Sequence, residues 1–240
     1  MKIFPVTSIS NFFKDPDEVV KFAKSLKYTK PKEGIYPGVR TENLHDIDYA
    51  FFNQTIRSIL SVYFEDIQHV SFSKTFLGFH KIKPYSKSLK DVRNKGWIHH
   101  DGTALGGLIY LNKESYPESG TSLYTPKKEP VENASAIKTK LDFYAKNKIN
   151  LKQFKKEMAS LEKKFIKTHT FQNIYNTMVA FDGFQWHNMD NIYCNSKEDR
   201  LTLVFFIHKI QARDCPKLRL DKIQSFDKNI YLQYFNKENL

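Results

Sequence analysis

Along the chain the spacing of apolar positions switches from helical to alternating, back to helical, and then to alternating again, and each switch predicts a different kind of element. Asp15-Pro16-Asp17 stands before Val19, Val20, Phe22 and Ala23, the pattern of an N-capped amphipathic helix with proline in its tolerated first turn. From Ile47 to Phe64, the residues Tyr49, Phe52, Ile56, Ile59, Leu60 and Tyr63 recur at helical spacing and predict a second helix with one buried face. Between them, Tyr36-Pro37-Gly38-Val39-Arg40 reads as a turn entering a short extended stretch. From Val70 onward, short apolar segments are punctuated by Gly, Asn, Asp and Pro, as antiparallel strands joined by turns would be. Strands are expected at 70–82, 96–101, 105–112, 121–125, 169–176, 177–181, 184–189 and 200–208, a set that suits a jelly roll.

Helical spacing returns over 134–166, with Ile137, Leu141, Tyr144 and Ala145, then Leu151, Phe154, Met158, Leu161 and Phe165. Asn133 and Asn150 are the expected N-caps of two inserted helices. The 240 residues thus predict a single, mainly β domain with flanking helices. Residues 1–69 give N-terminal helical support, 70–208 a jelly-roll core carrying the helical insert at about 134–166, and 209–240 a C-terminal extension.

Composition modifies this picture in a few places. The 20 Phe and 13 Tyr favour half-buried pleated surfaces. A formal net charge of +12 points toward anionic partners, but the surplus is local, with twelve lysines against five acids between Lys127 and Lys167. A solvated face of the inserted helices is the simpler reading; a nucleic-acid surface is the other. Only Cys194 and Cys215 occur, without CxxC spacing, which argues for a reducing compartment and supports no disulfide. The opening MKIFPVTSISNFF lacks the unbroken apolar stretch of a signal peptide, and Leu203 to Ile207 is too short to cross a bilayer. A soluble, cytoplasmic protein without a membrane partner is expected.

The candidate chemistry lies in the strands. In Trp97-Ile98-His99-His100-Asp101, strand alternation sends Trp97, His99 and Asp101 to one face and His100 to the other. Two imidazoles and one carboxylate on one side of an octahedron suit iron(II) and leave three positions open. An HxD triplet alone is weak evidence, so a third ligand is needed, and Phe181-Asp182-Gly183-Phe184-Gln185-Trp186-His187 supplies one on a strand returning after a glycine-containing turn. Arg200 and Thr202 then open the most apolar strand of the chain on one face with Val204 and Phe206. A buried arginine requires either a protein carboxylate or an anionic ligand, and a dicarboxylic co-substrate would meet that need.

The ordered set HxD at 99–101, GGLIYLN at 106–112, SGTSLY at 119–124, His187, and Arg200-Leu201-Thr202 resembles the 2-oxoglutarate and iron(II) dependent dioxygenases, in particular their prolyl-hydroxylase-like branch. The resemblance covers roughly residues 70–208. It implies a double-stranded β-helix core of the cupin type, iron(II) held by His99, Asp101 and His187, and 2-oxoglutarate bound through its distal carboxylate by Arg200 and Thr202. It implies too that Tyr110 assists that carboxylate, that O2 is consumed, and that the product is a hydroxylated peptidyl or free amino acid, with succinate and CO2 released. The helical insert departs from the compact members, so the substrate wall does not carry over. Nucleic-acid dealkylases of the superfamily would carry a second arginine where Phe206 stands. A non-catalytic jelly-roll binding module and a metal-dependent isomerase or lyase on a cupin scaffold are the competing classes.

Three further residues are candidates for contact with substrate. Arg40 is more simply a surface ion-pair partner, or else reaches across the pocket to an anionic substrate group. Trp97 and Trp186 adjoin ligand positions and are candidate cavity walls, although aromatics beside buried strands are commonly core. His45, His69, His80, His169 and His208 have no motif around them and receive no role.

Overall fold

The computed structural model describes residues 4–30, 36–128, 140, 142–144, 150–195 and 197–213. In chain order the principal elements are β1 (Thr7–Ile9), α1 (Pro16–Ser25), β2 (Val39–Arg40), α2 (Leu44–Ile47), α3 (Tyr49–Leu60), β3 (Ser71–Ile82), β4 (Leu105–Tyr110), β5 (Thr121–Pro126), α4 (Leu151–Glu162), β6 (Phe165–Phe171), β7 (Met178–Asp182), β8 (Trp186–Met189) and β9 (Arg200–Gln211).

The strands form two antiparallel sheets. The larger runs β1-β7-β4-β9-β3-β2 and the smaller β6-β5-β8. The period of two in the sequence sorts the residues of the larger sheet between two cores. One face presents Leu77, Phe79, Leu105, Ile109, Leu203 and Phe205 to the helices, where Ala23, Phe52, Ile56, Ile59 and Leu60 meet them in one buried cluster. The opposite face places Tyr110, Val179 and Phe181 against Leu123 of the smaller sheet. The helices therefore serve as a rigid backing, and the space between the sheets remains for the chemistry.

Local chemistry sets most of the boundaries. Asp15 caps α1 by accepting a hydrogen bond from the Glu18 amide. The helix expected from Ile47 is divided at Asp48, whose extended backbone ends α2 and whose carboxylate accepts from the Phe51 amide to start α3; a short acceptor side chain competes with helix continuation and favours the cap. Asn150 caps α4 as expected. Phe154 and Met158 of α4 pack with Trp97, Phe143 and Tyr144, so the insert closes one side of the structure around Trp97. Asn133, Ile137, Leu141 and Ala145, expected to belong to the first inserted helix, lie outside the described residues, as do Cys215 and the extension from residue 214. Cys194 is buried.

Two expected strands differ. Residues 96–101 are not a strand, because they pair only intermittently: Gly96 with Met189, then His99 with His187 in an isolated bridge, with the Asp101 and Gly102 amides both donating to the Gly183 carbonyl. The strand expected at 169–176 is shifted to Phe165–Phe171, because pairing with β5 begins at Pro126 and Phe165 and leaves 172–177 to a turn. Phe165, read from its spacing as the last helical residue of the insert, is the first residue of that strand. Among the described residues no helix is long and apolar enough to cross a membrane.

Candidate metal centre

The bridge between His99 and His187 brings the candidate ligands together. Each backbone amide donates to the other residue's carbonyl, at 3.0 and 2.8 Å, and the two imidazole centroids stand 4.4 Å apart. Asp101, two residues on, places one carboxylate oxygen 3.5 Å from His99 Nε2 and the other 3.5 Å from His187 Nε2. The three residues can offer one donor atom each, all within 4.8 Å of one another. This is one side of a coordination sphere with two nitrogens and an oxygen, a donor set suited to iron(II).

The hydrogen bonds also fix which nitrogen is available. His99 Nδ1 lies 2.7 Å from the Trp97 carbonyl and His187 Nδ1 lies 2.8 Å from the Gln185 carbonyl. A carbonyl only accepts, so each Nδ1 donates to it, and Nε2 is the ring nitrogen left to face Asp101. Burial lowers the His187 pKa to about 4, against the opposing pull of Asp101, and keeps the ring neutral near pH 7. Burial pushes the Asp101 carboxyl up, but His187, His99 and more distant Arg40 outweigh it and hold it below the usual carboxylate range. Neutral imidazoles and an ionised carboxylate are the protonation states a metal requires.

The triad opens on a cavity of about 150 Å³ between the sheets, lined also by Arg200, Thr202, Val204 and Phe206 from alternate positions of β9. Arg200 is buried, and its one hydrogen bond among the described residues is a long one, 3.4 Å from Nε to the Ser119 carbonyl. Its Nη2 and the Thr202 hydroxyl are buried without a partner, and no carboxylate pairs with Arg200 among the described residues. A buried guanidinium with an unpaired Nη2, beside an unpaired hydroxyl in the same cavity wall, is the complement of a carboxylate ligand. The residues present therefore fit both a divalent metal and a dicarboxylate such as 2-oxoglutarate.

The other expected residues are placed unevenly. Tyr110 is fully buried with its ring centroid 5.7 Å from the Arg200 guanidinium, but its hydroxyl donates to Thr121 Oγ1 at 2.8 Å, and it is Thr121 that lines the cavity. Trp97 and Arg40 line the cavity. The surface ion pair is not what Arg40 makes: among the described residues it has no acidic partner, and its Nε is buried and unbonded. Trp186 does not line the cavity. It lies on β8 next to His187, and alternation turns it outward, where it packs on His100 at 4.6 Å and Phe165 at 5.0 Å. His100 faces away from the triad, as strand alternation predicts.

His80, for which the sequence offered no motif, belongs to this site. It pairs in register with Thr202, lines the cavity, and sits 2.7 Å through Nε2 from the Pro37 carbonyl. The available signal was the alternation of the expected 70–82 strand, which sets His80 on one face with Gly78 and Ile82. Which face met the cavity was not legible.

Solved structures that align at TM-scores of 0.50 and above agree with this fold. EvdO2 from Micromonospora carbonacea var. aurantiaca aligns with a TM-score of 0.51 at 10% identity, covering 88% of this chain and 89% of its own. The epimerase SnoN, in its complex with Fe3+, alpha ketoglutarate and nogalamycin RO, aligns with a TM-score of 0.50 at 13% identity, covering 87% and 81%. A prolyl hydroxylase from Trichoplax adhaerens, in complex with a hypoxia inducible factor peptide fragment, aligns at 0.48 and 10% identity, covering 85% and 83%. No curated protein matches by sequence. Residues 2–207 match the family described as a family of unknown function, DUF6445, and the chain, with its His-Asp-His cluster set between two antiparallel sheets, belongs to that family.

Proposed function

We propose that this protein is an iron(II) and 2-oxoglutarate dependent dioxygenase of jelly-roll, double-stranded β-helix architecture. In this reading the described residues form one oxygenase domain that hydroxylates a free or peptidyl amino acid and releases succinate and CO2. One observation carries the proposal: a two-histidine, one-carboxylate cluster shares one cavity with a buried arginine whose Nη2, and a buried threonine whose hydroxyl, have no partner among the described residues.

Each residue has a defined task. His99 and His187, with Nδ1 held by backbone carbonyls, would present Nε2 to iron, and Asp101 would supply the anionic ligand. Arg200 would take the distal carboxylate of 2-oxoglutarate through its planar fork, with the Thr202 hydroxyl donating alongside. Tyr110 acts one step back, holding Thr121 in place. Bound iron, 2-oxoglutarate and O2 supply the oxidising chemistry, one oxygen atom going to succinate and the other to a C–H bond of the substrate. Trp97, Phe181, Met189, Val204 and Phe206 line the cavity, and their apolar surface would lower the local dielectric and strengthen the charge interactions within it.

The test is succinate formation by anaerobically purified protein reconstituted with Fe(II), then exposed to O2 with 2-oxoglutarate and panels of amino acids, peptides and oligonucleotides. Stimulation by an amino acid or peptide, abolished in Asp101→Ala together with metal binding, is the expected result. Stimulation by oligonucleotides alone would move the assignment to nucleic acid, and failure to bind Fe(II) would move it to a non-catalytic binding module.

A further inference from the structure

Among the described residues, Arg200 is not the only arginine in the cavity without an acidic ion-pair partner. Arg40 reaches it from β2, the edge strand of the larger sheet. Its backbone is held on both sides, by Thr29 through two hydrogen bonds of 2.8 and 3.1 Å and by pairing with His80 of β3. Its guanidinium lies 3.6 Å from the Tyr36 ring centroid, with Phe206 at 5.3 Å and Phe76 at 5.9 Å. Stacking at that distance occupies a flat face of the guanidinium and leaves its edge for hydrogen bonds. Yet that edge makes none: Nε is buried and unbonded, and no carboxylate pairs with Arg40 among the described residues. A cation held this firmly and left this incomplete is a binding element awaiting an anion.

The charge within the cavity indicates what kind of anion. If 2-oxoglutarate and iron(II) bind as proposed, the dianion and the dication cancel, and Asp101 offsets one of the two arginines. One positive charge is left over, apart from Lys140, which has a partner of its own. A monoanion balances the charge of Arg40. The planar fork matches a carboxylate, and the cavity of about 150 Å³ is small. We infer that Arg40 binds a carboxylate of the substrate itself, so that the substrate is a small carboxylic acid such as a free amino acid, held by its acid group, and not an internal residue of a peptide. This rests on the oxygenase reading for the charge balance, while the Arg40 site stands on its own geometry.

The probes are acetate, propionate and benzoate, each against its carboxamide. They are titrated against protein loaded with Zn(II) and saturated with 2-oxoglutarate so that Arg200 is already occupied, and binding is read as a saturable rise in melting temperature. At least one acid is expected to bind where its amide does not. Arg40→Gln is expected to weaken that acid about ten- to hundredfold, the loss for a hydrogen bond to a charged group. Arg40→Lys, which keeps the charge and loses the fork, is expected to fall between the two. Circular dichroism and the response to 2-oxoglutarate establish that each variant is folded. Amides that bind as well as acids, acids that give no saturable shift in the wild type, or acids that bind Arg40→Gln as tightly as the wild type would each overturn the inference. Failure of 2-oxoglutarate to stabilise the wild type in an Arg200-dependent way would sink the oxygenase reading instead, and acid titrations of the protein loaded with Zn(II) alone would still read the Arg40 site.

Discussion

Replacing Arg200 by Met should make the protein more stable without 2-oxoglutarate and less stable with it. Arg200 is a charge withdrawn from water, with a 3.4 Å hydrogen bond to Ser119, a partnerless Nη2 and the Tyr110 ring 5.7 Å away as its compensation. Burial lowers its pKa, a sign that the site disfavours the charged form when nothing fills it. Exchanging a buried charge for an apolar side chain of similar volume is commonly neutral or stabilising by about 1–4 kcal/mol. With Tyr110 and Ser119 giving partial compensation, the lower half of that range applies, about 1–2 kcal/mol. For a chain of this length that is a rise of about 2–8 °C in melting temperature. Saturating 2-oxoglutarate at about 100 times its Kd should stabilise the wild type by about 2.7 kcal/mol, or about 5–10 °C, and leave Arg200→Met unmoved. The assay is thermal unfolding of both proteins with Zn(II), with and without 2-oxoglutarate, and the order of the two melting temperatures should reverse between conditions. A variant that is destabilised without 2-oxoglutarate would show that Arg200 is a structural network residue, and a variant that responds to 2-oxoglutarate like the wild type would refute its role in binding.

Two further outcomes follow from the same interior. Burial, with Arg40 adding to it, holds the His80 pKa well below its ordinary value. The unfolded chain takes up that proton as pH falls below about 6.5 while the folded chain does not, so stability is full above that pH and drops by up to about 1.4 kcal/mol per pH unit below it. His187, lowered to about 4 by burial, contributes the same slope; His80→Gln should therefore remove one of the two shares, and urea midpoints at pH 7.5, 6.5 and 5.5 with an unchanged slope would contradict this. Gly107→Ala would set a methyl 2.2 Å from the Val179 carbonyl oxygen and 2.6 Å from the Phe205 ring. That overpacking should cost about 3 kcal/mol, and a melting temperature within about 1 °C of the wild type would refute the tight register of β4 against β7 and β9.

Much of the site was readable because alternation along an extended segment is local. His99 and Asp101 share a face, His100 does not, and Arg200 and Thr202 head an apolar strand; each statement needs only a period of two and a side-chain chemistry. Trp186 was read as a candidate cavity wall because it adjoins His187, but neighbours along a strand take opposite faces, and the structure turns it onto His100 and Phe165. Capping was legible for the same local reason at Asp15 and Asn150, whereas Asp48 was read as part of a helix because hydrophobic spacing runs across it unbroken.

What the sequence by itself determined is the class of chemistry: donor types, their order, and the alternation that sets them on common faces, all properties of short stretches of chain. Only the tertiary structure decided which charged side chains go without partners, because an ion pair is made by residues far apart in sequence and its absence has no local signature. Arg40 and Arg200 are 160 positions apart in the chain yet line one cavity, the first brought there by an edge strand pairing with β3 and the second by the central strand β9. His80 reached the same wall through its register with Thr202.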